Sequence, residues 1–205
     1  MRLNSKRKLI DEHFDLGNFL IGEQDFPLAG YEDTLDLLIK KANLAKGMTV
    51  LDYGVGMGQL TERLLNKGAR VTALDYSSDM LRKARVKFPG VFFIQADLSK
   101  PLRLGRFDRV VSSYVLHEYE HLKKWQIIAQ TLTYLKPEGR LLIADIAFSS
   151  RHDLALCYER NKHLWNEEDH YWVAEEMQAS LPQNILMSYE QVSSCAGLFI
   201  FEKTS

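Results

Sequence analysis

The segment Asp52-Tyr53-Gly54-Val55-Gly56-Met57-Gly58 places an acid before three glycines that alternate with other residues. Glycine has no side chain, so such a turn lets the backbone come close to a ligand, and a following helix N-terminus favours anionic groups. Asp52, Gly54, Gly56 and Gly58 are therefore candidate cofactor-binding residues. The glycines alone leave open a second interpretation, a tight turn that binds nothing.

Two more acids follow later apolar runs, Asp75 directly after Leu74 and Asp97 within Gln95-Ala96-Asp97-Leu98. A carboxylate at the end of a second strand can accept hydrogen bonds from both hydroxyls of a ribose. Asp75 could instead serve as the anion at the start of the helix that follows Ser77. Asp97 is predicted at the same carboxyl edge of the sheet, where ligands bind in doubly wound folds.

The segment Ser112-Ser113-Tyr114-Val115-Leu116-His117-Glu118 follows a fourth apolar run and is predicted to face the same edge. His117 is the first candidate for moving a proton, because imidazole titrates near neutral pH. Tyr114 and Glu118 are further candidates. A structural or solvated role for His117 is the alternative.

Between His163 and His170 stand three acids, a spacing that suggests a metal site. Asn166 as the N-cap of a helix that continues through Trp172 and Met177, with the acids in its first turn, explains the same residues without a metal. We therefore predict no metal ion. The nearby aromatic residues Trp165, Tyr171 and Trp172 could line a substrate pocket or belong to the core.

Short apolar runs alternate with segments of helical periodicity along most of the chain. This alternation predicts an α/β fold with a doubly wound, mostly parallel, seven-stranded sheet and helices on both faces. The last two runs are joined by a few residues, which predicts an antiparallel C-terminal strand. The predicted strands are 49–53, 70–74, 91–94, 107–111, 141–144, 185–192 and 197–201.

The chain has 205 residues, which favours one domain. We divide it into an N-terminal helical cap (1–48), a cofactor-binding core (49–148), and a helical insert with a terminal strand pair (149–205). The insert is predicted to be helical from Arg151 through Leu181. The formal net charge of -1 argues against nucleic acid as a partner, and no apolar stretch is long enough to cross a membrane. The absence of a secretion signal and the two separated cysteines predict a cytoplasmic protein. The sequence indicates no oligomeric state.

Taken together, these motifs resemble those of the Rossmann-like S-adenosylmethionine-dependent methyltransferases, especially the UbiE/type-11 group and small bacterial YrrT-type proteins. The resemblance spans about residues 14–146 and covers the glycine turn, Asp75-Tyr76-Ser77 with Met80-Leu81, and Ala96-Asp97-Leu98. It implies S-adenosylmethionine as the cofactor and S-adenosylhomocysteine as its product.

The resemblance also implies roles for individual residues. The cofactor's methionine amine would contact the Gly54 carbonyl and the segment at Ser112, and its ribose would contact Asp75. The adenine edge would contact Asp97 and the Leu98 backbone, the adenine faces Tyr76 and Met80, and the methionine end Tyr31.

The predicted function is methyl transfer to a small-molecule acceptor by in-line displacement. The chain lacks the Asn/Asp-Pro-Pro-Tyr/Phe motif associated with methylation of nucleobase amines. One alternative is an NAD-dependent oxidoreductase, although that fingerprint prefers glycine where Gln59 stands. The other is a non-catalytic module that binds S-adenosylmethionine.

Overall fold

The computed structural model describes residues 25–204, so half of the predicted N-terminal cap lies outside the described residues. The elements, in chain order, are α1 (Tyr31–Ala42), β1 (Thr49–Tyr53), α2 (Gln59–Asn66), β2 (Arg70–Asp75), α3 (Ser78–Lys87), β3 (Phe92–Gln95), β4 (Phe107–Ser113), a 3₁₀ turn (Leu116–Glu118), α4 (His121–Thr133), β5 (Leu135–Phe148), α5 (Arg151–Asn161), β6 (Trp172–Val173), α6 (Ala174–Ala179), β7 (Ile185–Gln191) and β8 (Ala196–Lys203).

The main sheet has the strand order β3-β2-β1-β4-β5-β8-β7, and the short β6 pairs with the end of β5. The pairs among β1 to β5 are parallel, whereas β8 runs antiparallel to both β5 and β7. This confirms the predicted mostly parallel, seven-stranded sheet with an antiparallel C-terminal strand. The strand order reverses between β1 and β4, which is where ligands bind in this class of fold.

The central strands are buried on both faces of the sheet, which explains their unbroken apolar sequences. In β5, Leu141 and Ile143 belong to one hydrophobic cluster, while Leu142 and Ala144 belong to the other. Successive side chains of a strand point to opposite faces, so each face receives its own layer of helices. Helices α1, α2 and α3 pack in one cluster, and α4 and α6 in the other.

The prediction of a helical stretch from Arg151 to Leu181 is wrong for the residues between Asn161 and Ala174. Helix α5 ends at Asn161, and β6 interrupts the stretch before α6 begins. Asn166 does not cap a helix; its side-chain oxygen accepts a hydrogen bond from the Glu168 backbone N–H at 3.2 Å within a turn. Trp172 is 1% exposed and packs at 4.9 Å on the Phe199 ring, so burial of an indole prevails over helical periodicity there.

Candidate functional site

A cleft opens at the carboxyl ends of β1 to β4, where the strand order reverses. Its walls come from the turn after β1, the ends of β2 and β3, the start of α1 and the segment after β4. Among the predicted site residues, the cleft is lined by Tyr31, Gly54, Gly56, Gly58, Asp75, Tyr76, Met80, Leu98, Tyr114, His117 and Glu118. The others, Asp52, Asp97 and Ser112, do not line it.

The three glycines of the turn have left-handed backbones but differ in their surroundings, with φ of 73° at Gly54, 48° at Gly56 and 80° at Gly58. A Cβ at Gly54 would lie 2.2 Å from the Val115 side chain, and one at Gly58 would lie 2.3 Å from the Phe88 ring. The fold therefore requires those two glycines whether or not a ligand binds. A Cβ at Gly56 would meet only the Gly54 carbonyl oxygen, at 3.9 Å. Of the three, only Gly56 keeps space open on the cleft side.

Asp75 joins the end of β2 to the glycine turn. Its Oδ2 accepts the Gly56 N–H at 3.0 Å and its Oδ1 accepts the Ser77 N–H at 2.8 Å. The predicted cap is present as well, since the Ser77 hydroxyl accepts the Met80 N–H at 3.3 Å. A carboxylate has about four acceptor sites, so Asp75 can hold the turn and still accept hydrogen bonds from a ligand in the cleft.

Asp52 lies behind the turn rather than in the cleft. It is 1% exposed, and its Oδ2 accepts the Thr61 hydroxyl at 2.5 Å. Burial raises the pKa of the Asp52 carboxyl to about 7, and the nearby charge of Asp75 adds to this rise. The hydrogen bond from Thr61 acts in the opposite direction and lowers the pKa.

The remaining two predicted residues stand beside the cleft while their chain neighbours line it. Asp97 Oδ1 accepts the Ser99 N–H at 2.8 Å, and the hydrogen bonds from Ser99 lower the pKa of its carboxyl. Ser112 is fully buried, with its hydroxyl 3.5 Å from the Tyr53 carbonyl oxygen. The cleft is lined at these places by Ala96, Leu98 and Ser113.

Polar atoms without a hydrogen-bond partner concentrate around the cleft. Within residues 25–204, the buried side-chain polar atoms lacking one are Asp52 Oδ1, Gln59 Oε1 and the Tyr114 hydroxyl. Thr34 lies near Tyr114, but its hydroxyl donates to the Gly30 carbonyl. Buried polar groups in native proteins nearly always have partners, so this clustering is typical of a site that binds a polar ligand. Sequence reasoning had assigned Gln59 no binding role.

Apolar and aromatic side chains form the rest of the walls. Tyr76 is 59% exposed at one side of the cleft, whereas Met80 and Leu98 are buried. At the other end, the rings of Tyr31 and Tyr114 lie 4.8 Å apart and tilted by 48°. Burial raises the pKa of both phenols, so each stays protonated and is suited to donate a hydrogen bond rather than to act as a base.

His117 contacts a buried carboxylate that the sequence analysis missed. Its Nδ1 lies 2.6 Å from Asp145 Oδ1, and Asp145 is fully buried near the end of β5. Burial disfavours the imidazolium, but the Asp145 charge and hydrogen bond outweigh it and raise the pKa of His117. The only signal in the sequence was an acid directly after the apolar run that ends at Ala144.

Lys124 of α4, which the sequence also did not indicate, lies near the Asp145 carboxylate. It is 2% exposed, its ammonium is 4.4 Å from the centre of the Trp172 ring, and it donates to the His170 carbonyl. Burial lowers the pKa of Lys124 to about 8, while Asp145 opposes that shift. The His117 end of the cleft thus rests on a buried network of opposite charges.

Two negative findings apply to residues 25–204. Among them, no group of three or more histidine, cysteine or acidic side chains is placed to hold a metal ion. In the same part of the chain, no helix combines the length and the apolar character needed to cross a bilayer.

The chain has a doubly wound α/β fold with a cleft where its strand order reverses, and its core resembles a known family of sequences. Residues 50–139 match the family described as Methyltransferase domain. This match confirms the resemblance drawn from the glycine turn and the later acids.

Two relatives illustrate how far the similarity extends. An uncharacterised methyltransferase of Geobacillus sp. (strain WCH70) is 37% identical over 125 residues, 60% of this chain and 57% of the relative. The uncharacterised methyltransferase YrrT of Halobacillus halophilus is 28% identical over 183 residues, 85% of this chain and 84% of the relative. The matches to the first three curated relatives span only 57%, 56% and 48% of their lengths.

The fold also matches solved structures. The magnesium protoporphyrin IX methyltransferase of Synechocystis PCC 6803, crystallised with bound SAH, superposes with a TM-score of 0.73 at 18% identity, covering 97% of this chain and 100% of that one. At this identity the match supports the fold alone.

Proposed function

We propose that the chain transfers a methyl group from S-adenosylmethionine to a small molecule bound at the His117 end of the cleft. The observation that supports this proposal most is a pair of polar atoms in the cleft wall that lack a hydrogen-bond partner among residues 25–204, Gln59 Oε1 and the Tyr114 hydroxyl, together with the acceptor capacity of Asp75. These groups suit a ligand with an amine and a ribose. The cofactor would supply an electrophilic methyl group on a sulfonium.

Each wall of the cleft would hold one part of that cofactor. Asp75 would accept the ribose hydroxyls, and the side chains of Tyr76, Met80 and Leu98 would enclose the adenine. Tyr31 and Tyr114 would cover the methionine end, where the Tyr114 hydroxyl has no protein acceptor among residues 25–204. Asp97 would support the adenine end through its neighbours Ala96 and Leu98, which line the cleft. Ser112 would support the methionine end through its neighbour Ser113.

The residues at the His117 end would then orient the acceptor and exclude water. Holding two reactants in line can lower a barrier by about 7–11 kcal/mol without a covalent intermediate. The balanced charge of the chain, formally -1, favours a small-molecule acceptor over a nucleic acid.

Titration calorimetry on the full chain tests the cofactor assignment. We expect binding of S-adenosylmethionine and S-adenosylhomocysteine and none of NAD. Binding of NAD without either sulfur compound would overturn the proposal in favour of an oxidoreductase. Transfer of labelled methyl to any member of a metabolite panel would then separate an enzyme from a non-catalytic binding module.

A further inference from the structure

We propose that Asp145 is a positioning residue that holds His117 ready to accept a proton, and that the methyl acceptor therefore carries a proton on its nucleophilic atom. The inference rests on the proposed function. It favours phenols, hydroxyls, thiols and protonated amines, and it disfavours thioethers and tertiary amines.

The hydrogen bonds around Asp145 determine which nitrogen of His117 carries a proton. Oδ2 accepts the backbone N–H of Leu116 at 3.0 Å, that of His117 at 3.1 Å and the Trp172 indole N–H at 3.1 Å. Oδ1 accepts the Ile146 N–H at 2.8 Å. A carboxylate surrounded by donors is an acceptor only, so the contact of 2.6 Å with His117 requires a proton on Nδ1.

The other ring nitrogen is left available to a substrate. With Nδ1 protonated, the neutral imidazole has an unprotonated Nε2. Residues 25–204 provide no hydrogen-bond partner for this atom, while the His117 ring lines the cleft. The arrangement is that of a base oriented by a carboxylate, in a ring that lines the cleft.

Negative charges around His117 stabilise its imidazolium form after it has accepted a proton. Asp145, Asp169 and Glu118 each raise its pKa, and Tyr171 contacts the ring with centroids 6.2 Å apart. Lys124 lies close enough to Asp145 for that charge to raise the Lys124 pKa, against the lowering by burial. Tyr114 cannot take the same role, because burial keeps its phenol protonated.

The step balances without any further reactant. The acceptor's proton passes to Nε2, before the attack in the case of a protonated amine. The acceptor atom forms a bond to the methyl carbon, and the carbon–sulfur bond breaks with its electron pair left on sulfur. The sulfonium charge is thereby replaced by an imidazolium charge beside Asp145. The imidazolium later returns the proton to water.

Nitrogen NMR of the full chain, labelled with ¹⁵N-histidine, tests the positioning role without cofactor or acceptor. His117→Gln identifies the signals, and the exposed His121 serves as an internal comparison. We expect the neutral His117 ring to be protonated at Nδ1 and bare at Nε2. A neutral ring protonated at Nε2 would overturn the proposal.

Asp145→Asn sharpens the same measurement. We expect it to reverse the tautomer and to lower the midpoint of the His117 titration by about one pH unit or more. If the variant folds and keeps the same His117 tautomer and titration midpoint, Asp145 does not position His117 and the proposal is overturned. If the variant does not fold, the spectrum of the unaltered chain still decides the matter.

Methyl transfer tests the acceptor class. Labelled S-adenosylmethionine is offered with phenols, alcohols and thiols, and in parallel with their methyl ethers, thioethers and tertiary amines. We expect transfer to the first panel alone, reduced about a hundredfold or more in His117→Gln and within twofold of normal in His121→Gln. Transfer to the second panel at an equal rate in His117→Gln would overturn the proposal. Failure of the cofactor assignment would show separately, as absent S-adenosylhomocysteine binding with the tautomer unchanged.

Discussion

The two ends of the cleft are built in different ways. The glycine end, from Asp52 to Tyr76, is made of neighbouring βα turns and depends mainly on backbone N–H groups and one carboxylate. The His117 end depends on buried charged side chains from distant parts of the chain. Asp145 lies 28 residues beyond His117 and 27 before Trp172.

Under the proposed function, the glycine end binds the cofactor and the His117 end binds the acceptor. Backbone N–H groups and absent side chains suit a constant ligand, because their geometry follows from the fold. The His117 network is made of side chains whose identity can change the chemistry while the sheet stays the same. The fold class therefore says much about the cofactor and little about the acceptor.

The largest predicted effect concerns the acid behind the glycine end. Asp52 has a pKa of 3.8 as a free side chain and about 7 in the folded protein. Below pH 4 both states are protonated. As the pH rises towards 7 the unfolded chain loses this proton first, so stability falls, and above 7 the penalty is constant.

Asp52→Asn removes that penalty. Its free energy of unfolding should exceed that of the unaltered protein by a margin that grows by at most about 1.4 kcal/mol per pH unit between pH 4 and 7, about 4 kcal/mol in all. Urea unfolding from pH 5 to pH 8 measures the margin, with the exposed Asp79→Asn as control. Parallel curves for Asp52→Asn and the unaltered chain would show that Asp52 is ionised in the fold.

Gly58→Ala tests whether the fold requires the outer glycines without any ligand. The added methyl would meet the Phe88 ring at 2.3 Å on a backbone with φ of 80°, so both overpacking and strain act against it. We expect a loss of about 2–4 kcal/mol in the free energy of unfolding. Thermal and urea unfolding measure it, and a loss below about 1 kcal/mol would contradict the packing argument.

Asp75→Ala tests the cofactor end directly. It removes an acceptor for the ribose and two hydrogen bonds that hold the turn, so S-adenosylhomocysteine affinity should fall about ten- to a hundredfold. Calorimetry measures the change, and Asp79→Ala on the exposed side of α3 should stay within twofold. Unchanged affinity in Asp75→Ala would place the nucleoside elsewhere.

The same contrast explains what could be predicted from the sequence. The alternating βα pattern, the glycine turn and Asp75 are local signals, and the structure has each of them where it was expected. Asp145 could not be recognised, because its partners meet it only when β5 and β6 pair beside the 3₁₀ turn. Trp172 was assigned to a helix for the same reason, since its burial and its indole hydrogen bond arise from tertiary contacts.

The smallest predicted effect is on ligand binding at Gly56, where a comparison with Gly47 distinguishes backbone strain from ligand contact. Gly56 and Gly47 both have left-handed backbones, with φ of 48° and 87°, and neither Cβ would contact a side chain within 4 Å. Gly56 lines the cleft, whereas Gly47 precedes β1 at the opposite edge of the sheet. Alanine at either position should therefore cost about 1–2 kcal/mol of stability.

Only Gly56→Ala should also weaken S-adenosylhomocysteine binding, by about fivefold, because its methyl group would enter the space that the backbone leaves for the ligand. Unfolding and calorimetry on the two variants measure both quantities. Equal binding by Gly56→Ala and Gly47→Ala would mean that the cofactor does not approach the turn at its middle glycine. In that case the glycines serve packing and turn geometry, and Asp75 alone would remain to place the ribose.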